Sequence, residues 1–222
     1  MRLYLSSFRL GASPERLVEL AAGKKKALVI ANACDLFSEA ERRPRVEREL
    51  EALGSLGFWA EELDLRKHFR DGGDRLGIGA ELASAGLVWA RGGNAFVLRR
   101  AMAQSGFDSL LSEALAEDTL AFGGYSGGIA VLAPTLHGIE LVNDPKTVPA
   151  GYHPETIWDG LAAVDFSLAP HYQSPHPSSP GIDNVVAYLR KRGMPFQTLS
   201  DGQALVIDGD KREVVGRALA AP

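Results

Sequence analysis

The chain reads as an α/β protein, with a mostly parallel sheet and helices on both faces. Three observations carry that reading. Short continuous apolar runs recur, among them Ala27-Leu28-Val29-Ile30-Ala31 and Gly86-Leu87-Val88-Trp89-Ala90; strands buried on both faces look like this because neither face meets water. Longer stretches with apolar residues at helical spacing lie between the runs, and strands alternating with helices in this way imply βαβ units. Finally, Leu120-Ala121-Phe122 passes through Gly123-Gly124-Tyr125-Ser126-Gly127-Gly128 into Ile129-Ala130-Val131-Leu132. That is a buried strand, a tight turn and the start of a helix.

Taken in order, Arg2 to Ser6 is a short apolar strand, and Ala27 to Ala31 is a second one behind the charged turn Lys24-Lys25-Lys26. Ser38 to Leu56 mixes charges with apolar residues at helical spacing, so it predicts an amphipathic helix, stopped by Gly57. Phe58 to Leu63 is a strand, and Glu81 to Ala85 closes a short helix. Gly86 to Ala90 is a strand ending at Arg91-Gly92-Gly93-Asn94, and Ala95 to Gln104 and Ser109 to Ala116 are helices. Beyond the glycine-rich turn the texture changes. Asn143 to Trp158 is a long loop rich in proline, glycine and polar residues. Val164 to Ala169 alternates like a strand and ends at Pro170-His171. Ser174 to Pro180, with three prolines and three serines, predicts an irregular loop, and Ile182 to Arg192 a helix. Phe196 to Leu199, Ala204 to Ile207 and Glu213 to Gly216 are closing strands, the last two joined by the turn Asp208-Gly209-Asp210. With no repeat, linker or low-complexity segment, residues 1–222 are expected to form a single domain.

Composition narrows the function. The net charge is −4, and there is no basic cluster beyond the lysine triplet, so nucleic acid is not an expected partner. No apolar run approaches the roughly 18 residues that a membrane span needs, and Met1 to Leu5 lacks the pattern of a signal peptide. The single cysteine, Cys34, excludes an intramolecular disulfide. These features predict a cytoplasmic enzyme or binding protein; a homo-oligomer is compatible with them, and nothing in the sequence fixes the assembly.

Reactive groups in an open parallel sheet collect at the carboxyl ends of its strands. Gly124 to Gly128 fits G-x-S-x-G, the nucleophile elbow, in which a serine on a sharp strand-to-helix turn is held exposed and needs small neighbours. The helix starting there aims its N–H groups and positive dipole end at the same point. The pentapeptide also suits a plain glycine-rich turn with Ser126 as a helix cap. A serine hydroxyl needs a base in reach, and the base needs an acid to hold its tautomer. His171 is the base candidate, since it closes a strand beside Pro170; His68, His137, His153 and His176 lie in charged or loop segments. Gly92-Gly93 can bring backbone N–H groups to an oxyanion, or can form a helix turn capped by Asn94. Asp201 follows the run Phe196 to Leu199. There is no G-x-G-x-x-G or Walker pattern and no His/Cys cluster at ligand spacing, so neither a cofactor nor a metal is expected. Cys34, at a strand end, reads as a buried small residue.

At this point the residues resemble peptidase E, the aspartyl dipeptidase family of serine peptidases related to cyanophycinase. The resemblance begins at Leu5-Ser6-Ser7 and covers nearly the whole chain. Gly92-Gly93-Asn94-Ala95-Phe96 is similar to the family's Gly-Gly-Asn-Thr-Phe, and Gly124-Tyr125-Ser126-Gly127-Gly128 to its Gly-Trp-Ser-Ala-Gly. Asn143-Asp144, Gly160-Leu161 and Asp165 also fit, Pro170-His171-Tyr172 resembles Pro-His-Phe, and Leu199-Ser200-Asp201-Gly202 resembles Leu-Pro-Glu-Gly. The resemblance implies a fold like class I glutamine amidotransferase domains, a flavodoxin-like three-layer sandwich. It implies a Ser126 nucleophile with a His171 base, and hydrolysis of dipeptides with N-terminal aspartate without metal or cofactor. Two departures stand out. The acid here is Asp201 where the family has glutamate, and Ser178-Ser179-Pro180-Gly181-Ile182-Asp183 replaces an arginine-containing Gly-Glu-Thr-Arg segment that helps bind the substrate's aspartate.

The expected function is a serine exopeptidase acting on short peptides. Ser126, His171 and Asp201 would be its catalytic residues. Gly92, Gly93, Asn94 and Gly127 would serve the oxyanion and substrate, and Asp144 substrate binding or loop order. The missing arginine predicts a substrate range broader than, or shifted from, N-terminal aspartate, with Arg91 and Arg99 as substitute cations. Two alternatives remain. An esterase of α/β-hydrolase order, serine then acid then histidine, would need Asp144, Asp159 or Asp165 as the acid. A non-catalytic small-molecule-binding protein on the same fold would carry a vestigial elbow.

Overall fold

Alternate residues of the central strands decide which layer each helix joins. In β1 (Arg2–Ser6), Leu3 and Leu5 pack into one core and Tyr4 into the other. The same division holds in β2 (Lys26–Ile30), where Leu28 and Ile30 oppose Ala27 and Val29, and in β4 (Leu87–Ala90), where Val88 and Ala90 oppose Leu87 and Trp89. Successive side chains of a strand point to opposite faces, so two apolar faces need two helical layers. The computed structural model describes residues 1–70 and 72–219.

The main sheet has seven strands in the order β3-β2-β4-β5-β1-β8-β9, with β3 at Trp59–Glu62, β5 at Ala121–Tyr125, β8 at Ala204–Asp208 and β9 at Lys211–Val215. β1 to β5 run parallel to one another, while β8 is antiparallel to both β1 and β9. One face carries α3 (Arg75–Ser84), α4 (Ala95–Ser105), α5 (Phe107–Ala116), the single-turn α6 (Gly127–Ala130) and α7 (Ser179–Arg192). The other carries α1 (Glu15–Leu20), through Leu17 and Leu20, and α2 (Glu39–Ser55), through Leu53. Ser38 and Glu41 form a capping box at the start of α2. The expected α/β architecture, mostly parallel with helices on both faces, is the one present.

Four expectations change in detail. The alternating run from Val164 enters strand pairing only at Ser167, as β6 (Ser167–Pro170); the Val164 N–H donates instead to the Leu132 carbonyl, which ties that end to the segment after α6. The proline-rich stretch to Pro180 is not loop throughout, because α7 already starts at Ser179 with Pro180 in its first turn, where a missing N–H costs nothing. The helix after the elbow lasts one turn only. And α1, behind Pro14, was not expected. β6 also joins no main-sheet strand. It pairs in parallel with β7 (Phe196–Leu199), Pro170 opposite Leu199, as a separate two-stranded sheet. The ends of these two strands deliver His171 and the turn holding Asp201 to the carboxyl end of β5.

Candidate active site

Ser126 sits between β5 and α6 with φ 54° and ψ −127°, a backbone conformation that side chains other than glycine's rarely adopt. Such strain persists only where the surroundings enforce it, and it clusters at functional sites. The surroundings here are glycines. Gly93, at φ 155°, packs so closely on the 31–34 turn that a Cβ would come within 2.5 Å of the Ala33 carbonyl oxygen. A Cβ on Gly127, where the resembling family has alanine, would collide with the Gly93 carbonyl. The Gly92-Gly93 turn and the elbow are thus in backbone contact. Gly127 is the first residue of α6, so its N–H has no partner within the helix.

Two chain-distant side chains line up behind the serine. His171 Nε2 lies 2.9 Å from Ser126 Oγ, and His171 Nδ1 lies 2.7 Å from Asp201 Oδ1. A carboxylate can only accept, so Nδ1 carries the proton and Nε2 is left to accept from the serine hydroxyl. Both side chains are buried, His171 at 2% and Asp201 at 5% exposure. The arrangement has its own support. The His171 N–H, at φ 62°, donates to Ser7 Oγ at 2.7 Å, and Ser7 Oγ donates to Asp201 Oδ1 at 2.8 Å. The Asp201 N–H donates to Ser174 Oγ, and its carbonyl accepts from the Leu219 N–H. Burial pushes the Asp201 carboxyl up, but the hydrogen bonds from His171 and Ser7 and the charge of His171 outweigh it and hold the group below the usual carboxylate range.

Ser126 opens on a cleft of about 730 Å³. Arg9, Arg45, Arg48 and Arg91 line it, against the carboxylates of Glu41 and Asp144. Arg91 is anchored: Nη1 donates to the Gly92 carbonyl at 2.6 Å and contacts Cys34 Sγ, and Nε lies 3.5 Å from Glu49. Glu49 is itself buried beneath the elbow, accepting from Trp89 Nε1 at 2.9 Å and from the Tyr125 hydroxyl at 2.7 Å. Burial raises the Cys34 thiol pKa, in keeping with an inert small residue.

The other sequence candidates fall apart from the line. Asn94 lines the cleft, but its side chain caps α4 through the Phe96 and Val97 N–H groups and donates to the Asp144 carbonyl. Asp144 accepts from the Lys146 N–H and Thr147 Oγ1, so it orders its own turn while facing the cleft. Asp144, Asp159 and Asp165 are exposed, and the acid that faces His171 is Asp201. Arg99 is not a cleft cation. It donates to the Asp159 carbonyl and pairs with Asp108. Among the described residues no group of three or more His, Cys, Asp or Glu is placed to hold a metal ion, and no helix is long and apolar enough to cross a membrane. The site also includes residues to which the sequence reading assigned no role: Ser7 and Glu49, and Phe8 and His176, which line the cleft. Ser7 had a signal, as a polar pair with Ser6 closing an apolar strand, and so had Glu49, at helical spacing between Val46 and Leu53.

The family model described as Peptidase family S51 matches residues 11–215. Lin0382, an uncharacterized peptidase of Listeria innocua, is 31% identical over 162 residues, which is 73% of this chain and 72% of that protein. Peptidase E of Streptomyces coelicolor is 31% identical over 152 residues, 66% of this chain and 57% of that one. A candidate peptidase E of Listeria monocytogenes EGD-e, solved by crystallography, shares the fold with a TM-score of 0.78 over 98% of both chains at 24% identity.

Proposed function

This chain belongs to peptidase family S51 and is a serine-type peptidase, and on that footing we propose that it is an exopeptidase, a dipeptidase acting on short peptides through Ser126, His171 and Asp201. The observation that carries the reading is the hydrogen-bond line from Asp201 Oδ1 through both nitrogens of His171 to the strained Ser126. In this scheme Ser126 Oγ attacks the scissile carbonyl carbon while its proton passes to His171 Nε2. The N–H groups of Gly93 and Gly127 receive the oxyanion. The C–N bond then breaks, and His171 returns the proton to the leaving amine. Water repeats the sequence on the acyl-enzyme, releasing the acid and freeing Ser126. Asp201 keeps the imidazole in the right tautomer and stabilises its cation. No cofactor enters these steps.

Four arginines against two carboxylates favour peptides that carry negative charge, and Asp144, on the cleft, suits the substrate's α-ammonium group. The arginines come from three separate parts of the chain rather than from one segment after His171, which supports a range broader than N-terminal aspartate. A cytoplasmic location belongs to the same proposal and rests on the single cysteine.

A panel of X-Leu and Asp-X dipeptides, scored for free amino acids, tests both parts. Ser126→Ala is expected to lose about a million-fold in turnover with the melting temperature unchanged, and to lose rapid labelling by a fluorophosphonate. Residual activity within tenfold of wild type would refute the serine mechanism. Cleavage of Asp-X at least a hundredfold better than Ala-X would refute the broad range.

A further inference from the structure

His176 takes no part in the hydrogen-bond line yet lies flat against it. Its imidazole stacks on that of His171 with ring centroids 3.6 Å apart and planes 8° from parallel. Two neutral rings avoid such a face-to-face sandwich, because their negative π-faces repel; offset or edge-on contacts are preferred. The same geometry becomes favourable when one ring is a cation and the other offers its face. In a serine hydrolase cycle the base is charged only around the tetrahedral intermediate. We propose that His176 is a positioning residue for the imidazolium form of His171: it holds that ring in the line from Asp201 to Ser126, and its π-face stabilises the charge that develops there. An interaction stronger in the transition state than in the resting enzyme raises turnover rather than substrate affinity. The inference rests on the triad reading above.

The surroundings suit that role. The Ser178 N–H donates to His176 Nδ1 at 3.1 Å, which puts the neutral ring's proton on Nε2 and ties the ring to its own loop. Burial, and then the neighbouring His171, lower the His176 pKa while Asp201 pulls it the other way; a neutral ring is what a cation needs opposite it. Phe8, from the turn after β1, flanks both rings, with centroids 5.2 Å from His176 and 5.7 Å from His171. Arg9 lies over the Phe8 ring on this side. The titratable groups facing His176 are thus His171 and Asp201, and the neutral ones Phe8 and the Ser178 backbone. Protonating His176 would set two cations face to face and reverse the effect.

Two variants separate support of the charge from mere packing. His176→Phe keeps a flat π-face without a titrating nitrogen, and His176→Leu fills similar space without one. With the dipeptide cleaved best, the phenylalanine variant is expected to keep kcat within about threefold. The leucine variant should lose roughly tenfold, within the two- to thirtyfold range of a cation–π contact. Its acid limb in kcat/KM should also move to lower pH, because an unsupported imidazolium gives up its proton more readily. If the leucine variant melts early, His176→Gln, also non-aromatic, should show the same loss. Coincident kcat values and acid limbs for the aromatic and non-aromatic variants would overturn the proposal. Ser126→Ala in the same assay separates the two failures. If it stays active, the triad reading falls; if it is inactive while the His176 variants coincide, only the role of His176 falls.

Discussion

Replacing Asp201 by asparagine changes one oxygen to an amide and leaves the shape nearly intact, so its effect reports chemistry rather than packing. The structure allows two outcomes for the new side chain. If the amide oxygen stays where Oδ1 accepts from His171 Nδ1 and Ser7 Oγ, the tautomer survives and only the negative charge is lost. At a charge separation of about 4 Å and an effective dielectric near 20, that charge is worth about 4 kcal/mol to the imidazolium, close to a thousandfold in rate. If the amide turns its NH₂ toward Nδ1, the ring must shift its proton to Nε2 and can no longer take one from Ser126. Ser7 does not forbid this, since the Leu199 carbonyl, 3.1 Å away, is an alternative acceptor for its hydroxyl. The equivalent substitution in a well-studied serine protease costs about 10⁴, so Asp201→Asn is expected to lower kcat by about 10³ to 10⁴. The assay is dipeptide hydrolysis over a full substrate range, with a melt to show that the fold is kept. Asp144→Asn is the control, and it should alter KM or loop order and leave kcat within tenfold. An Asp201→Asn enzyme within tenfold of wild type, or an Asp144→Asn enzyme that falls as far, would refute the assignment of the acid.

Two other outcomes follow from the same geometry. Gly128→Ala would drive a Cβ into the Ala90 carbonyl at the end of β4; overpacking of this kind costs about 1–3 kcal/mol, and because it lifts α6 off β4 it should lower both the melting temperature and kcat, whereas normal activity would mean that the elbow is not held by this contact. The lowered pKa of Asp201 is a statement about stability: its contribution is complete above the unfolded value of about 3.9 and is lost as pH falls from there through the lower folded value. The stability gap between wild type and Asp201→Asn, measured by denaturation, should therefore shrink from pH 7 to pH 3, and a gap that stays constant would show that the carboxylate is not stabilised in the fold.

What the sequence disclosed and what it hid divide along a physical line. The elbow was legible because its constraint is local: a strained serine needs small residues within two positions, and Gly124, Gly127 and Gly128 are adjacent in the chain. The parallel strands were legible because double-sided burial leaves unbroken apolar runs. His171 and Asp201 were legible as strand-end residues, since β6 and β7 are parallel and must finish at the same edge. Their separation from the main sheet was not, because no local pattern says which strands pair, and both sheets consist of short apolar segments. What Ser7, Glu49 and His176 touch stayed hidden for a stronger reason. Ser7 and Glu49 act through partners far along the chain, as Ser7 does with Asp201 across 194 positions, and His176 meets His171 only because the loop between them folds back; a serine, a glutamate in an amphipathic helix or a histidine in a proline-rich loop looks ordinary until the fold supplies the partner. Glu49 is the clearest case. Its residue type reads it as one more charge on α2, but its spacing from Val46 and Leu53 sets it on the buried face, and the chain buries it under the elbow, where Trp89 and Tyr125 each give it a hydrogen bond and Arg91 approaches as a cation. A buried carboxylate persists only if its lone pairs are met in this way, so these three partners, which the helical pattern does not name, fix the floor on which the strained serine stands.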